Sequence, residues 1–415
     1  MKQLIRRCLL LVMLVAGFAR NGFREPGRRD VRRVLLIRPD HLGDALFMTP
    51  ALAELRRALP EAHITLLVGP WAREVVARNP NIDEVQICAF PGLRRGSQSA
   101  FEPYRLLWQL AGQLRRQRYD LAVVLRPDFW WGVWLMYLAG IPLRLGYADA
   151  LQTPFLTLAL PVHEYDHAVV QNLRLARAAI ALAKGEQPNQ QHAVYELASE
   201  TPGQPPMEFA PTDEERTWVQ GRLAQAGFTD TAPLVVIHPG SGAAVKLWDT
   251  ASWAKVADTL IRDYGAQVVL TGVESEREQV EAISAQMQEP ALALVGETDV
   301  GTLAALLARA NVVLGVDNGP LHLATAQGTP TARIYGPTDT RIFGPWGDPA
   351  LQMVLQAKQP CSGCLMIPCG RLDWPPEALP AHPCVRSMPV EGMLTAAGRL
   401  LEQHKLRQAT NAGKA

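Results

Sequence analysis

Val34-Leu-Leu-Ile-Arg-Pro-Asp-His-Leu-Gly-Asp-Ala-Leu-Phe-Met-Thr-Pro-Ala-Leu52 contains a short apolar run, a turn carrying Pro39 and Gly43, and a segment of helical periodicity. The run Val34 to Ile37 is unbroken and too short for a helix, so it reads as a buried strand; from Ala45 the spacing predicts a helix to Leu59. Strand, turn and helix in that order form half of a βαβ unit. The same alternation extends through a strand His63 to Gly69, a helix near Trp71 to Arg78, a strand Val85 to Cys88, a helix Phe101 to Arg118 and a strand Asp120 to Leu125. It restarts with strands at Leu234 to His238, Gln267 to Leu270, Leu292 to Val295, Val312 to Val316 and Ala332 to Tyr335. Helices are predicted between them over Ser252 to Tyr264, Glu276 to Met287, Val300 to Ala310 and Leu321 to Ala326. This rhythm specifies an α/β fold with parallel sheets.

A polar, Pro-rich stretch, Glu186 to Pro211, interrupts the rhythm and marks an interdomain linker. The expected organisation is an apolar and basic segment over 1–30, one Rossmann-like domain over 31–190, a linker over 191–211, a second such domain over 212–390, and a C-terminal amphipathic helix and tail over 391–415. A chain of 415 residues suits two domains. Lys+Arg 41 against Asp+Glu 40 argues against nucleic acid held by bulk charge. Apolar residues at 48% and charged residues at 20% exclude disordered and coiled-coil classes. At the N-terminus, Lys2, Arg6 and Arg7 precede an apolar run from Cys8 to Ala19, shorter than the roughly 20 residues needed to span a bilayer. Three readings fit it: a cleaved signal, an interfacial anchor helix, or a start codon assigned too far upstream.

In open parallel sheets ligands bind beyond the carboxyl ends of strands, so the loops after Arg38, His238 and Val316 should carry the chemistry. In the first, Gly43 permits a tight turn, and Asp44 or Asp40 serves either as a general base or as a helix cap. Arg38 and His41 favour the ionised acid. In the second, His238-Pro-Gly-Ser-Gly-Ala-Ala-Val-Lys246, Gly240 and Gly242 let backbone N–H groups approach a phosphate, Ser241 can donate to it, and Lys246 brings a point charge. The bland alternative is a solvated loop. Neither a Walker A motif nor G-x-G-x-x-G is present. In the third, Gly315-Val-Asp-Asn-Gly-Pro-Leu-His322, Pro320 suits a first helical turn and Asn318 or Asp317 a cap, presenting a helix N-terminus to an anion. His322, one turn in, either reaches that anion or is a satisfied core histidine.

Cys361-x2-Cys364-x4-Cys369-x14-Cys384, with His382 adjacent, admits a structural zinc, disulfides or free thiols. Arg94 and Arg95 form a basic loop, either solvated or gripping an anionic acceptor. Trp130 and Trp131 read as helix packing rather than stacking platforms.

In this order and at these intervals, the three loops with the cysteine stretch behind them resemble glycosyltransferase family 9, the lipopolysaccharide heptosyltransferases, over residues 32 to 404. The cysteine stretch is most similar to the heptosyltransferase II branch and departs from it at Leu365-Met-Ile-Pro368. The resemblance implies a GT-B fold, two Rossmann-like lobes around a central cleft, acceptor on the N-terminal lobe and donor nucleotide on the C-terminal lobe. It implies an inverting, metal-independent transferase that moves a sugar, heptose from ADP-heptose, onto a lipopolysaccharide core or related lipid-linked glycan and requires no cofactor. Asp44 matches the family's catalytic carboxylate and is preferred over Asp40. Ser241 and Lys246 match donor phosphate contacts, with Gly242 beside them. Asp317, Asn318, Gly319 and His322 match the donor-binding turn, Asn318 standing where Thr is common, and Thr298 falls near the adenine-contacting backbone. Arg38, Asp40, His41, Arg94 and Arg95 are the expected acceptor-side residues. A cytoplasmic donor implies a cytoplasmic enzyme on the inner face of the inner membrane, with Arg24, Arg28, Arg29, Arg32 and Arg33 drawn to anionic lipid. The rival readings are a secreted bilobal binding protein and a GT-B nucleotide-sugar hydrolase or epimerase.

Overall fold

Every strand of the computed structural model, which describes residues 31–93, 101–186, 205–361, 364 and 366–412, runs parallel to its neighbours. The first half contains β1 (Arg33–Arg38), α1 (Leu42–Phe47), α2 (Thr49–Ala58), β2 (His63–Val68), α3 (Arg73–Val76), β3 (Glu84–Ile87), α4 (Glu102–Gln117) and β4 (Leu121–Val124). It continues with α5 (Trp130–Leu138), β5 (Leu143–Tyr147), β6 (Leu158–Leu160) and α6 (Ala168–Ala183). The sheet order is β3-β2-β1-β4-β5-β6. Its central strands are apolar on both faces because helices cover both, which is why β4 is buried throughout.

Two departures from the sequence reading have clear causes. The single helix expected over Ala45 to Leu59 breaks at Met48: Pro50 has no N–H to donate to Leu46 O, and Thr49 Oγ1 takes that carbonyl instead at 2.8 Å. The second concerns α5, which is buried from Trp131 to Leu138 and so shows no amphipathic period. Trp130 and Trp131 are packing residues there; Trp131 sits edge-on to Phe90, ring centroids 5.8 Å apart, and donates to Pro103 O.

The chain divides after Pro205 into two compact units. The second contains α7 (Asp213–Gln225), β7 (Leu234–His238), α8 (Thr250–Tyr264), β8 (Gln267–Gly272), α9 (Arg277–Ser284), β9 (Leu292–Val295), α10 (Val300–Arg309) and β10 (Val312–Val316). It ends with α11 (Gly319–Ala326), β11 (Thr331–Tyr335), α12 (Thr340–Phe343), β12 (Gln352–Gln356) and α13 (Val390–Ala412). Its sheet order, β12-β11-β10-β7-β8-β9, repeats the first unit's order strand for strand. Helix α7, absent from the periodicity reading, starts on a capping box in which Thr212 Oγ1 accepts from Glu215 N and Glu215 Oε2 accepts from Thr212 N. Helix α13 packs on α8 and belongs to the second unit's core.

In each sheet the strand order reverses between the first and fourth strands, β1 beside β4 and β7 beside β10. Loops leaving adjacent strands in opposite directions open a crevice at such a point. Three of the motif loops start there.

Candidate active site

In the first unit the loop after β1 is fixed from several directions. Trp71 Nε1 donates to Pro39 O at 3.0 Å and Asp40 O at 2.8 Å. Arg38, 5% exposed, donates to Leu125 O at the end of β4 (2.6 Å) and to Asn172 Oδ1 on α6 (3.2 Å). The two carboxylates then part company. Asp40 is clamped between Arg38 Nε at 2.8 Å and Arg126 Nη1 at 2.6 Å, with 9% of its side chain exposed. Asp44 touches Arg38 Nη2 at 3.3 Å and keeps 30% of its side chain exposed. Neither acid is the cap of α1; that position is His41, which makes no side-chain cap bond. Arg126 also grips Asp128 at 2.6 Å, and that hydrogen bond holds the Asp128 carboxyl below its usual range. Burial opposes the charge on Arg126, but Asp128 and Asp40 outweigh it and hold the guanidinium above its ordinary value.

In the second unit two loops converge at the ends of β7 and β10. A 3-10 turn, Ala244–Lys246, delivers Lys246, whose Nζ lies 2.6 Å from Asp317 Oδ2. Asp317 is 4% exposed. Burial alone would raise its pKa; the neighbouring His322 ring and the Lys246 ammonium overcome that and hold the carboxyl well below the usual range. Asn318 is the N-cap of α11, Oδ1 accepting from Leu321 N at 3.0 Å, and its Nδ2 reaches back to Gly240 O at 2.7 Å. One amide side chain thus starts the helix and ties it to the Gly-rich loop. Ser241 Oγ accepts from Ala243 N at 3.4 Å, and exposed Gly242 has open space where a Cβ would project. Gly315 lets β10 approach β7: a Cβ there would stand 2.7 Å from His238 O. Thr298 lies at the carboxyl end of β9, just before Asp299, the N-cap of α10, on the same edge of the sheet.

Three residues that the sequence reading passed over support this cluster. Arg333 on β11 is fully buried and donates to Leu321 O (3.0 Å), Thr325 Oγ1 (2.6 Å) and Thr331 Oγ1 (2.7 Å). It also meets His322 Nδ1 at 3.3 Å. A guanidinium can only donate, so Nδ1 must accept and the His322 ring proton resides on Nε2, which faces Asp317 Oδ1 at 3.8 Å. His322 is therefore a buried link in a chain from Arg333 to Asp317 and Lys246. Glu276, capping the turn after β8, lies 3.6 Å from His238 Nε2 and occupies the space a side chain at Gly240 would need. Gln352 closes the network around Arg333 from β12. The signal for Arg333 was a charge inside an otherwise apolar strand.

Of the other expected residues, His41 is exposed and its ring lies 5.2 Å from that of Trp71. Arg38 and Asp40, expected to touch an acceptor, are buried and brace the loop. Arg94 and Arg95 lie outside the described residues, as do residues 1–30. Among the described residues, no helix is long and apolar enough to cross a membrane.

Comparison with known proteins places these loops in context. The model of glycosyltransferase family 9 (heptosyltransferase) matches residues 107–372. Lipopolysaccharide heptosyltransferase 3 of Escherichia coli is 27% identical over 318 residues, covering 75% of this chain and 85% of that one. Among solved structures, the glycosyl transferase family 9 protein of Veillonella parvula superposes with a TM-score of 0.69 at 25% identity, covering 90% of this chain and 98% of that one. The ADP-heptose lps heptosyltransferase II of E. coli superposes at 0.66 with 22% identity, covering 90% and 99%.

Proposed function

The chain belongs to glycosyltransferase family 9, and from that premise we propose that it transfers a heptose from ADP-heptose to a hydroxyl of a lipid-linked lipopolysaccharide core. Family membership turns against the reading as a secreted binding protein. The observation that carries the donor assignment is the Lys246–Asp317 pair set beside the capped N-terminus of α11, at the point where the second sheet's strand order reverses.

Asp44 takes the proton from the acceptor hydroxyl as that oxygen attacks the anomeric carbon, and the configuration inverts in one displacement. As the sugar departs, charge grows on the β-phosphate oxygen of the nucleotide. Lys246, Ser241 and the first turn of α11 stabilise that charge from fixed positions, so little reorganisation is needed in the transition state. Asp317 holds the ammonium of Lys246 in place, and Arg333 braces Asp317 through His322. Thr298 sits at the nucleoside end of the donor. A donor made in the cytoplasm sets the proposed place of work at the inner face of the inner membrane, with a basic segment ahead of β1 drawn to anionic lipid.

The test separates the two roles. Asp44→Ala should lose about 10²–10⁴ in transfer rate, the range of general base catalysis, while its affinity for ADP stays unchanged in titration calorimetry. Lys246→Ala should weaken ADP binding and transfer together. Transfer is read as a mass gain of one heptose on a truncated core acceptor. Full activity in Asp44→Ala removes that residue from the mechanism; unchanged ADP affinity in Lys246→Ala moves the donor elsewhere.

A further inference from the structure

Between β12 and α13 the second unit carries a long connection in which, among the described residues, the only regular element is a 3-10 turn, Pro376–Ala381. Connections of this length without regular structure are uncommon inside compact domains unless something fixes them. Both ends of this one are pulled into the core, where Cys361, Cys384 and Val385 join the apolar cluster around Trp248 and Trp253. Its middle is attached as well, Gly370 N donating to Pro337 O at 2.8 Å, and near its end Trp248 Nε1 donates to Met388 O at 3.0 Å.

Four of its residues are cysteines, all free thiols. One ligand atom from each of Cys361, Cys364 and His382 lies within 4.8 Å of the other two, and Cys364 Sγ stands 3.6 Å from His382 Nδ1. Cys369 lies beside Cys364, and Cys384 lies beside Cys361 in the apolar cluster. The cluster therefore draws thiols from both ends of the connection. His382 is 4% exposed, and its ring is stacked on Trp374 with centroids 3.6 Å apart and planes 22° from parallel. Arg371 lies over the same indole at 3.6 Å. A buried imidazole held by a stacking partner with Nδ1 toward a thiol presents both donor atoms to one point.

We propose that this connection binds one Zn²⁺ in a closed tetrahedral site made by Cys361, Cys364, His382 and one of the two flanking thiols, Cys369 or Cys384. Three sulfurs and one imidazole nitrogen are a soft donor set suited to zinc, and with four protein ligands no position is left for substrate. The ion is structural. It clasps the connection against Gly336 and Pro337 at the end of β11, where Cys384 Sγ is so close that a Cβ on Gly336 would stand 3.0 Å from it. The donor loop shares this support through Trp248, two residues beyond Lys246.

The test uses the full chain purified without chelator or polyhistidine tag. Elemental analysis should find about one zinc per chain, released stoichiometrically when a mercurial titrates the thiols. Replacement by Co²⁺ should give the visible bands of a tetrahedral thiolate site. Cys361→Ser and Cys364→Ser should lose the metal, whereas Cys88→Ser, in the first unit, should keep it. His382→Cys should retain zinc and move the cobalt bands to lower energy as nitrogen gives way to sulfur. Serine variants of Cys369 and Cys384 identify the fourth ligand by which one lowers the thiolate charge-transfer intensity. Zinc at the level of the buffer blank in the wild-type chain, with the four thiols reacting freely, overturns the proposal without recourse to any variant. An intact mass lowered by the hydrogens lost in disulfide formation overturns it too.

Discussion

Asp40 and Asp44 stand four positions apart in one loop, yet the structure sets them in opposite environments. Asp40 is a buried anion between two arginines. Removing one partner from such a group leaves uncompensated charge, so Asp40→Ala should destabilise the chain by about 3 kcal/mol or more in urea unfolding. Asp44→Ala removes a part-exposed group and should shift stability by about 0.5 kcal/mol while lowering transfer by about 10²–10⁴. The pair separates structural from chemical carboxylate in one experiment. His238 makes a pH prediction. Burial depresses its pKa below 6.5, with Glu276 opposing only in part, so the folded chain prefers the neutral ring. Below pH 6.5 the unfolded state binds the additional proton; stability is therefore full above that pH and falls as pH drops through the window beneath it, by at most about 1.4 kcal/mol per pH unit. In His238→Gln that part of the slope should vanish from urea midpoints measured between pH 5 and 7.

Among the elements, the junction of β7, β10 and α11 is the most tightly specified. Gly315→Ala would push a methyl against backbone His238 O and Leu321 Cδ2, neither of which can easily yield, so a loss of about 1–3 kcal/mol is expected. Asn318→Asp keeps the cap, because Oδ1 still accepts from Leu321 N, but it removes the donor to Gly240 O. Its unfolding midpoint should stay close to wild type while the KM for the donor rises; an unchanged KM would show that the tie between the loops does not shape the site. This junction was legible in the sequence because glycine, proline and asparagine each have a local backbone meaning. The parts that escaped notice lacked such a backbone signal: α5 is apolar on every side, so that only its tryptophans stood out, and Gln352 and Arg333 acquire their roles only through a neighbour strand. Pro50, by contrast, was a visible breaker whose consequence, two helices in place of one, was passed over.

For the molecule as a whole, each unit has its own sheet and apolar core, and every residue proposed for the donor lies after Pro205. A fragment spanning 206–415 should therefore unfold in a single transition and bind ADP within about tenfold of the full chain, 1.4 kcal/mol, in calorimetry. The first unit alone should not bind it. The doubled α/β rhythm made this architecture readable from the sequence, because period and turn residues are local. The choice between Asp40 and Asp44 could not be derived that way: it depends on Arg126, which the sheet brings up from beyond β4.

The strand order has a kinetic consequence. No two neighbouring strands in either sheet are joined by a hairpin, and each central pair unites distant stretches, Val34 with Leu121 and Val235 with Val312. The middle of a sheet must wait until several crossovers have left the ribosome, leaving long apolar runs such as Leu234–His238 uncovered in the interim. A nascent chain of this design should be slow to mature and dependent on chaperones.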